Sequence, residues 1–309
     1  MLPMGETDED WDAVVPDEAV MRPGAVDLCA RLGLAGAPLV RFAEGSQPVY
    51  AVGDDHVLKL FPGAAAADGL AEGRVLSYLE DRLPVPTPRV RAAGAYENGW
   101  RYVLMSRLRG QNLARVWDSV PAGARERLVA EIGEALAVLH ALDPAPLADV
   151  LGPGDWGAFT DRQRAAAVAR QRDRGLPDAW LEQIPDFLAA VPLPRVPPRP
   201  ALLHTEVMRQ HFMVEPDGWR LSGLFDFEPA MIGDPAYDFV GVGVFVTGAD
   251  RSLMARLTDA YGHRVDPRTS MAYTLLHVCA DLAWYLRLNP PRGSTLDDLA
   301  EEWFGTGGD

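Results

Sequence analysis

A chain of 309 residues, 48% hydrophobic and 24% charged, has the length for two lobes or one large α/β unit and the composition to bury a normal core, which excludes a disordered chain and a peptide-sized scaffold. Its 44 acidic against 29 basic residues give a formal charge of -15, which repels a phosphate backbone and argues against nucleic acid as a partner. Two cysteines, Cys29 and Cys279, make neither a disulfide framework nor a CxxC zinc pair, so a reducing cytoplasm is the expected setting.

The first 20 residues are acidic and aperiodic where a signal peptide would be basic and then apolar, and they read as a mobile lead-in. No run of 18 apolar residues calls for a membrane step. Segments with β character at 38–45, 47–53 and 56–61, separated by Gly and Asp-Asp turn signals, predict an antiparallel meander. Residues 64–79 carry Leu70, Val75, Leu76 and Leu79 at helical spacing, with Glu72 near the middle. The Pro-rich 83–90 follows as an extended connector, and strands at 90–95 and 100–108 around Glu97-Asn98-Gly99 complete a small sheet with one inserted helix. Beyond Arg109-Gly110 the pattern turns helical: 122–141 has a long amphipathic period, and Thr160-Asp161-Arg162-Gln163 reads as a capping box opening an Arg-rich helix. The stretch at 191–200 reads as an extended surface strap leading into short strands at 201–203, 212–214 and 221–225. Helices close the chain, the last capped by Thr295 with Asp298 at its third position. The expected divisions are a lead-in at 1–20, a first lobe at 21–108 and a larger, mainly helical lobe at 109–309.

Three separated features carry chemistry. Lys59 lies inside the apolar Val57-Leu58-Lys59-Leu60-Phe61, where an ammonium needs an anionic partner unless the strand is an edge and the side chain reaches water. Glu72 is the natural protein partner, and such a pair fixes the ammonium to receive nucleotide phosphate oxygens. The second feature is the loop from His204 to His211, HTEVMRQH, between two short strands. The third is Asp226-Phe227-Glu228 followed by Gly233-Asp234-Pro235-Ala236-Tyr237-Asp238. An acid ending an apolar strand, about twenty residues after an acid-containing loop, is the layout that holds a metal-bound triphosphate beside a base. A structural network of loop carboxylates is the alternative.

In this order the three features resemble the aminoglycoside phosphotransferases, within the larger group of choline-kinase-like and protein-kinase-like folds. HTEVMRQH stands where that family has HGDxxxxN, followed by DFE and GDPAYD. The likeness extends to Glu44-Gly45-Ser46, VLKLF, VLMSRLRGQNL and the helix Gly133-Glu134-Ala135-Leu136-Ala137-Val138-Leu139-His140, covering residues 35 to 305. The closing TLDDLAEEWF looks most like the hygromycin B phosphotransferase branch. The resemblance implies an α+β, two-lobed protein-kinase-like fold. It implies ATP with Mg2+ or Mn2+ as cofactors, Gly45 and Ser46 in the nucleotide loop, and Lys59 on the α- and β-phosphates oriented by Glu72. Met105, Ser106 and Arg107 would offer hinge backbone to adenine, Asp226 would bind metal, and Asp234 would brace the catalytic loop.

Two departures fall on that loop. The family's catalytic Asp is Glu206, one methylene longer, and its second metal-binding Asn is His211, an imidazole where magnesium prefers oxygen. Arg209 between them is a candidate to neutralise the γ-phosphate, or a solvent-exposed side chain. His204, His140, His263 and His277 are expected to pack or cap, and Trp284, Tyr285, Trp303 and Phe304 to lie in the core. The leading function is transfer of the ATP γ-phosphate to a hydroxyl of a small, polar, cationic acceptor such as an aminoglycoside, with Asp281, Asp297, Asp298, Glu301 and Glu302 lining an ammonium site. The alternatives are a pseudokinase that binds nucleotide without transferring phosphate, and a kinase-like modifier of Ser or Thr in a biosynthetic peptide. The oligomeric state is not legible.

Overall fold

The computed structural model describes residues 2, 3, 11 and 15–307. The chain divides into two compact units, Met1–Gly110 with Ser222–Ala230, and Gln111–Leu221 with Met231–Asp309. Residues 222–230 therefore group with the first unit, although the sequence division at 108/109 assigns them to the second lobe. Among the described residues no helix is long and apolar enough to cross a membrane.

The first unit is an antiparallel sheet of five strands: β1 (Leu39–Arg41), β2 (Val49–Val52), β3 (His56–Phe61), β4 (Val90–Ala95) and β5 (Arg101–Ser106), in the order β1-β2-β3-β5-β4. The helix Ala66–Leu79 is inserted after β3, as its spacing predicts. A further helix, Glu18–Arg31, has no counterpart in the sequence reading, because Pro23 interrupts the pattern. Met21, Ala25, Leu28 and Cys29 nonetheless recur at helical spacing and are buried with Tyr50, Leu58, Leu60 and Trp100. The lead-in expected over 1–20 falls mainly on residues outside the described ones; of those described, Leu2 and Trp11 are buried in this same core.

The second unit is mainly helical. Its long helices Ala122–Ala141 and Arg251–Tyr261 pack closely because Gly133 has no side chain; a Cβ there would run into the Leu257 carbonyl. The capping box expected at Thr160 is not one: Asp155 caps a helix that already begins at Trp156, and the Thr160 hydroxyl donates back to the Trp156 and Gly157 carbonyls. At Thr295 the box is present, with the hydroxyl taking the Asp298 amide and the Asp298 carboxylate the Thr295 amide. The short strands β6 (Gln111–Asn112) and β8 (Phe212–Glu215) pair antiparallel, and β9 (Arg220–Leu224) adjoins β8. β7 (Ala201–Leu203) pairs with β10 (Met231–Gly233), Leu203 opposite Met231 and Ala201 opposite Gly233. In this antiparallel register the end of β7 lies opposite the start of β10, and the GDPAYD segment comes back under the loop after β7 only through its turn, where Asp238 accepts the His204 and Thr205 amides.

Candidate functional site

In the first unit the chemistry gathers on Lys59. β3 is the central strand of five, so the lysine is not at an edge, and its side chain is only 8% exposed. Three carboxylates surround the ammonium: Glu72 at 3.0 Å, Asp226 at 2.6 Å and Glu228 at 2.7 Å. Burial alone would favour the neutral amine, but Glu72, then Asp226 and Glu228, hold the charge, and the lysine stays protonated far above its usual range. Glu72 feels the opposite balance. Its burial, with the negative charge of Asp226 and Glu228, outweighs Lys59 and pushes its carboxyl up to about 7. Lys59 and Glu72 thus pair as the spacing predicts, and Glu228 joins them.

Asp226 and Glu228 reach this cluster because Ser222–Ala230 is tied to the first unit. The Ser222 hydroxyl donates to the Arg109 carbonyl, the Leu224 amide donates to the Pro86 carbonyl, and Gly223 leaves room for Leu108 where a Cβ would collide. Asp226 then sits at φ +73°, a left-handed conformation that a non-glycine residue adopts only under constraint. One ammonium against three carboxylates leaves a surplus of negative charge, and their oxygens lie within 4.8 Å of one another. Hard, closely spaced oxygen donors with uncompensated charge fit a divalent cation such as magnesium or manganese.

Gly45, at φ +111°, turns the loop joining β1 and β2, with Ser46 beside it. Met105 is buried in β5. The Ser106 amide donates to the Arg89 carbonyl and the Arg107 amide to the Asp55 carbonyl.

In the second unit the loop after β7 is braced from within. Asp238, fully buried, accepts the backbone N–H of His204 at 2.9 Å and of Thr205 at 2.6 Å, and the His140 Nε2–H at 2.9 Å. The brace is thus Asp238 and not Asp234, which caps the turn at Ala236 and accepts the Tyr273 hydroxyl. The turn that Asp234 caps carries Ala236, Tyr237 and Asp238 into the interior, and of the two carboxylates it is Asp238 that reaches the loop amides. Thr205 holds φ +68°. Its carbonyl lies 3.1 Å from His277 Nε2, while His277 Nδ1 accepts the Cys279 amide, which places the imidazole proton on Nε2. Burial holds that histidine neutral, its pKa lowered to about 4, and its ring stacks on Tyr237.

Glu206 follows, half-buried, with the Cys279 thiol 3.9 Å from its Oε1. His211 is buried, donates Nδ1–H to the Glu206 carbonyl at 2.8 Å, and stacks on His204. Arg209 is neither free in solvent nor aimed at an open site. Its Nε and Nη2 both donate to the Val246 carbonyl and its guanidinium lies 3.8 Å over the Trp117 ring, a burial that lowers its pKa to about 10.

Each of the acids expected to line an ammonium site has a local partner. Asp297 pairs with Arg268 and Glu301 with Arg251, Asp281 and Asp298 cap helices, and Glu302 accepts the amides of Arg292 and Gly293. Of the aromatics expected in the core, Tyr285, Trp303 and Phe304 are buried, but Trp284 is 40% exposed.

The sequence profile of the phosphotransferase enzyme family matches residues 39–273. Among curated proteins, the lysine-specific demethylase JMJ21 of Arabidopsis thaliana is 25% identical over 202 residues, 53% of this chain and 21% of that protein, so the chain spans about a fifth of the length of that relative. Among solved structures, the GDP complex of wild-type aminoglycoside 2'-phosphotransferase-IIIa superposes with a TM-score of 0.70 at 18% identity, covering 87% of this chain and 96% of that one. The streptomycin-ATP-APH(2")-IIa ternary complex gives 0.62 at 13% identity, covering 97% and 100%. Macrolide 2'-phosphotransferase MphH from Brachybacterium faecium gives 0.60 at 22% identity, covering 88% and 98%. At these identities the structural likeness shows the fold, and the profile does not separate branches, so the hygromycin B likeness stays an expectation.

Proposed function

We propose, from the premise that the chain belongs to the phosphotransferase enzyme family, that it is a small-molecule kinase moving the γ-phosphate of ATP to an acceptor hydroxyl. The observation that carries this reading is the buried cluster on Lys59, whose ammonium is held in place by Glu72 and bordered by two further carboxylates. Lys59 would hold α- and β-phosphate oxygens, with Gly45 and Ser46 over the phosphates and the Met105–Arg107 backbone against adenine. Asp226 and Glu228 would hold a divalent cation, which when bound neutralises phosphate charge and orients the triphosphate.

Glu206 is the proposed base. Its carboxylate takes the acceptor's proton as the acceptor oxygen bonds to the γ-phosphorus, and the bond from that phosphorus to the bridging oxygen breaks to release ADP. The Asp238 brace holds the loop that carries Glu206, and His211 fixes the Glu206 carbonyl, so both act by positioning. Because phosphoryl transfer depends on placement more than on covalent chemistry, a rigid loop suits the longer Glu as it would an Asp.

Calorimetric titration with ATP or GTP, with and without Mg2+ or Mn2+, tests the reading before any acceptor is known. Metal-dependent binding is expected. Absence of binding under every condition would leave a module that has lost the nucleotide, and metal-dependent binding without transfer to any small hydroxyl compound would leave a pseudokinase or a peptide modifier.

A further inference from the structure

We infer that the acceptor lies against an apolar, aromatic face of the second unit beside Glu206, and that it is a hydroxyl compound with an extended apolar surface and not a polycationic sugar. The inference rests on reading Glu206 as the group that receives the acceptor's proton.

From Glu206 a series of contacts runs residue by residue, through the buried Tyr285, to exposed aromatic side chains. The Cys279 thiol is 3.9 Å from Glu206 Oε1, the Tyr285 hydroxyl donates to the Cys279 carbonyl at 3.2 Å, and the Phe245 ring packs on both Tyr285 and Trp284, at 5.5 and 5.3 Å between centroids. Val278, Trp284 and Leu288, within or beside this series, are 42%, 40% and 47% exposed. Large apolar side chains left to water in a contiguous patch mark a ligand or partner surface, and small-molecule sites are lined mainly by such groups with a few placed polar atoms. Continuity with the candidate base favours the acceptor as occupant.

A second observation concerns how Phe245 is presented. It lies on the π-helical turn Val242–Thr247, in which it alone is not buried. Such turns are rare and recur at functional sites. This one pushes a single aromatic ring outward beside Trp284.

Charge points the same way. Of the five C-terminal acids expected to receive ammonium groups, Asp297, Asp298, Glu301 and Glu302 have partners outside this series, and Asp281 caps the helix that carries Trp284. An acceptor with several ammonium or guanidinium groups would meet apolar rings and two carboxylates, Glu206 and Asp281, of which Asp281 already accepts the Trp284 amide.

The test uses the whole chain with ATP and Mg2+, a macrolide as the apolar hydroxyl probe and streptomycin as the cationic one, reading product mass and ADP release. The expected result is phosphorylation of the macrolide with kcat/KM roughly 100-fold or more above that of streptomycin. Trp284→Ala should raise the macrolide KM about tenfold or more with a smaller change in kcat, Trp284→Phe should restore most of it, and Val196→Ala, at an exposed apolar position elsewhere, should change neither. Equal or better use of streptomycin, a KM indifferent to Trp284→Ala, or binding of neither compound while ATP binds would each overturn the inference. Failure of ATP itself to bind in the same sample would instead remove the kinase reading beneath it.

Discussion

Thr205 turns its backbone through the left-handed region, and the carbonyl it presents is held by the neutral imidazole of His277. A β-branched residue in that conformation costs on the order of 1–3 kcal/mol, so the loop keeps its shape only because its neighbours impose it. The residue that follows is Glu206, so the strain and the candidate base are adjacent. His277→Phe, which keeps the ring on Tyr237 but loses the donor, should lower kcat about tenfold or more with little change in the KM for ATP. Thr205→Gly removes the strain that His277 opposes and should return part of that kcat in the double variant. A double-mutant cycle in kcat and in unfolding free energy measures the coupling, and strict additivity would show that the contact does not position Glu206.

The same histidine has an acid signature. Its folded pKa, lowered to about 4 from 6.5, means the unfolded chain binds the extra proton first, so this contribution is complete above pH 6.5 and is lost as pH falls towards 4. Roughly 2–3 kcal/mol should disappear between pH 7 and 4.5. Denaturant unfolding of the wild type against His277→Phe at the two pH values isolates it, and parallel losses in both proteins would refute the assignment.

Glu72 titrates with the opposite sign. Raised to about 7 from 4.5, its protonated form is favoured by the fold, so its contribution is fully present below pH 4.5 and is lost as pH rises through 7. Glu72→Gln should therefore flatten the fall in melting temperature between pH 5.5 and 8 without metal, and magnesium with ATP should flatten it in the wild type. In activity Glu72→Gln should be impaired, since Lys59 loses the charge that orients it. A pH profile of melting unchanged by the substitution would contradict the charge surplus.

Asp238 should prove the least replaceable carboxylate in the second unit. Asp238→Asn presents an N–H or a single oxygen where two amides and an imidazole require acceptors, and a loss on the order of 3 kcal/mol or more is expected by urea unfolding. Asp234→Asn, which disturbs one turn and one hydroxyl, should cost less. The reverse ranking would restore Asp234 as the brace.

Glu206→Gln and Asp226→Asn separate chemistry from folding. Each should leave the melting temperature nearly unchanged while lowering kcat by roughly 100-fold or more. Phosphate transfer at wild-type rate in Glu206→Gln would show that the loop carboxylate is not the base.

Much of this was readable in the chain because it is local. The strands of the first sheet follow from alternation and turn residues, the Ala66–Leu79 helix from its spacing, the Thr295 cap from two residues three apart, and the Lys59–Glu72 pair from the cost of a charge in an apolar strand. What escaped depends on long-range placement. Glu228 belongs to the Lys59 cluster because a distant segment returns to the first unit, and nothing within DFE announces it. Asp238 and His140, 98 residues apart, share a hydrogen bond that no spacing rule connects. The Glu18–Arg31 helix was concealed by Pro23, and the partners of Asp297 and Glu301 lie on other helices.

The return of residues 222–230 to the first unit also has a consequence in time. Lys59 and Asp226 are 167 residues apart, and at about 5–20 residues per second a ribosome needs roughly 8–30 s to cover that interval. Throughout that wait the emerging sheet must carry its lysine with Glu72 as its sole carboxylate from the cluster. The N-terminal unit therefore completes its centre only after most of the second unit has been synthesised, and a stop codon placed near Gly110 would release a sheet whose central lysine lacks Asp226 and Glu228.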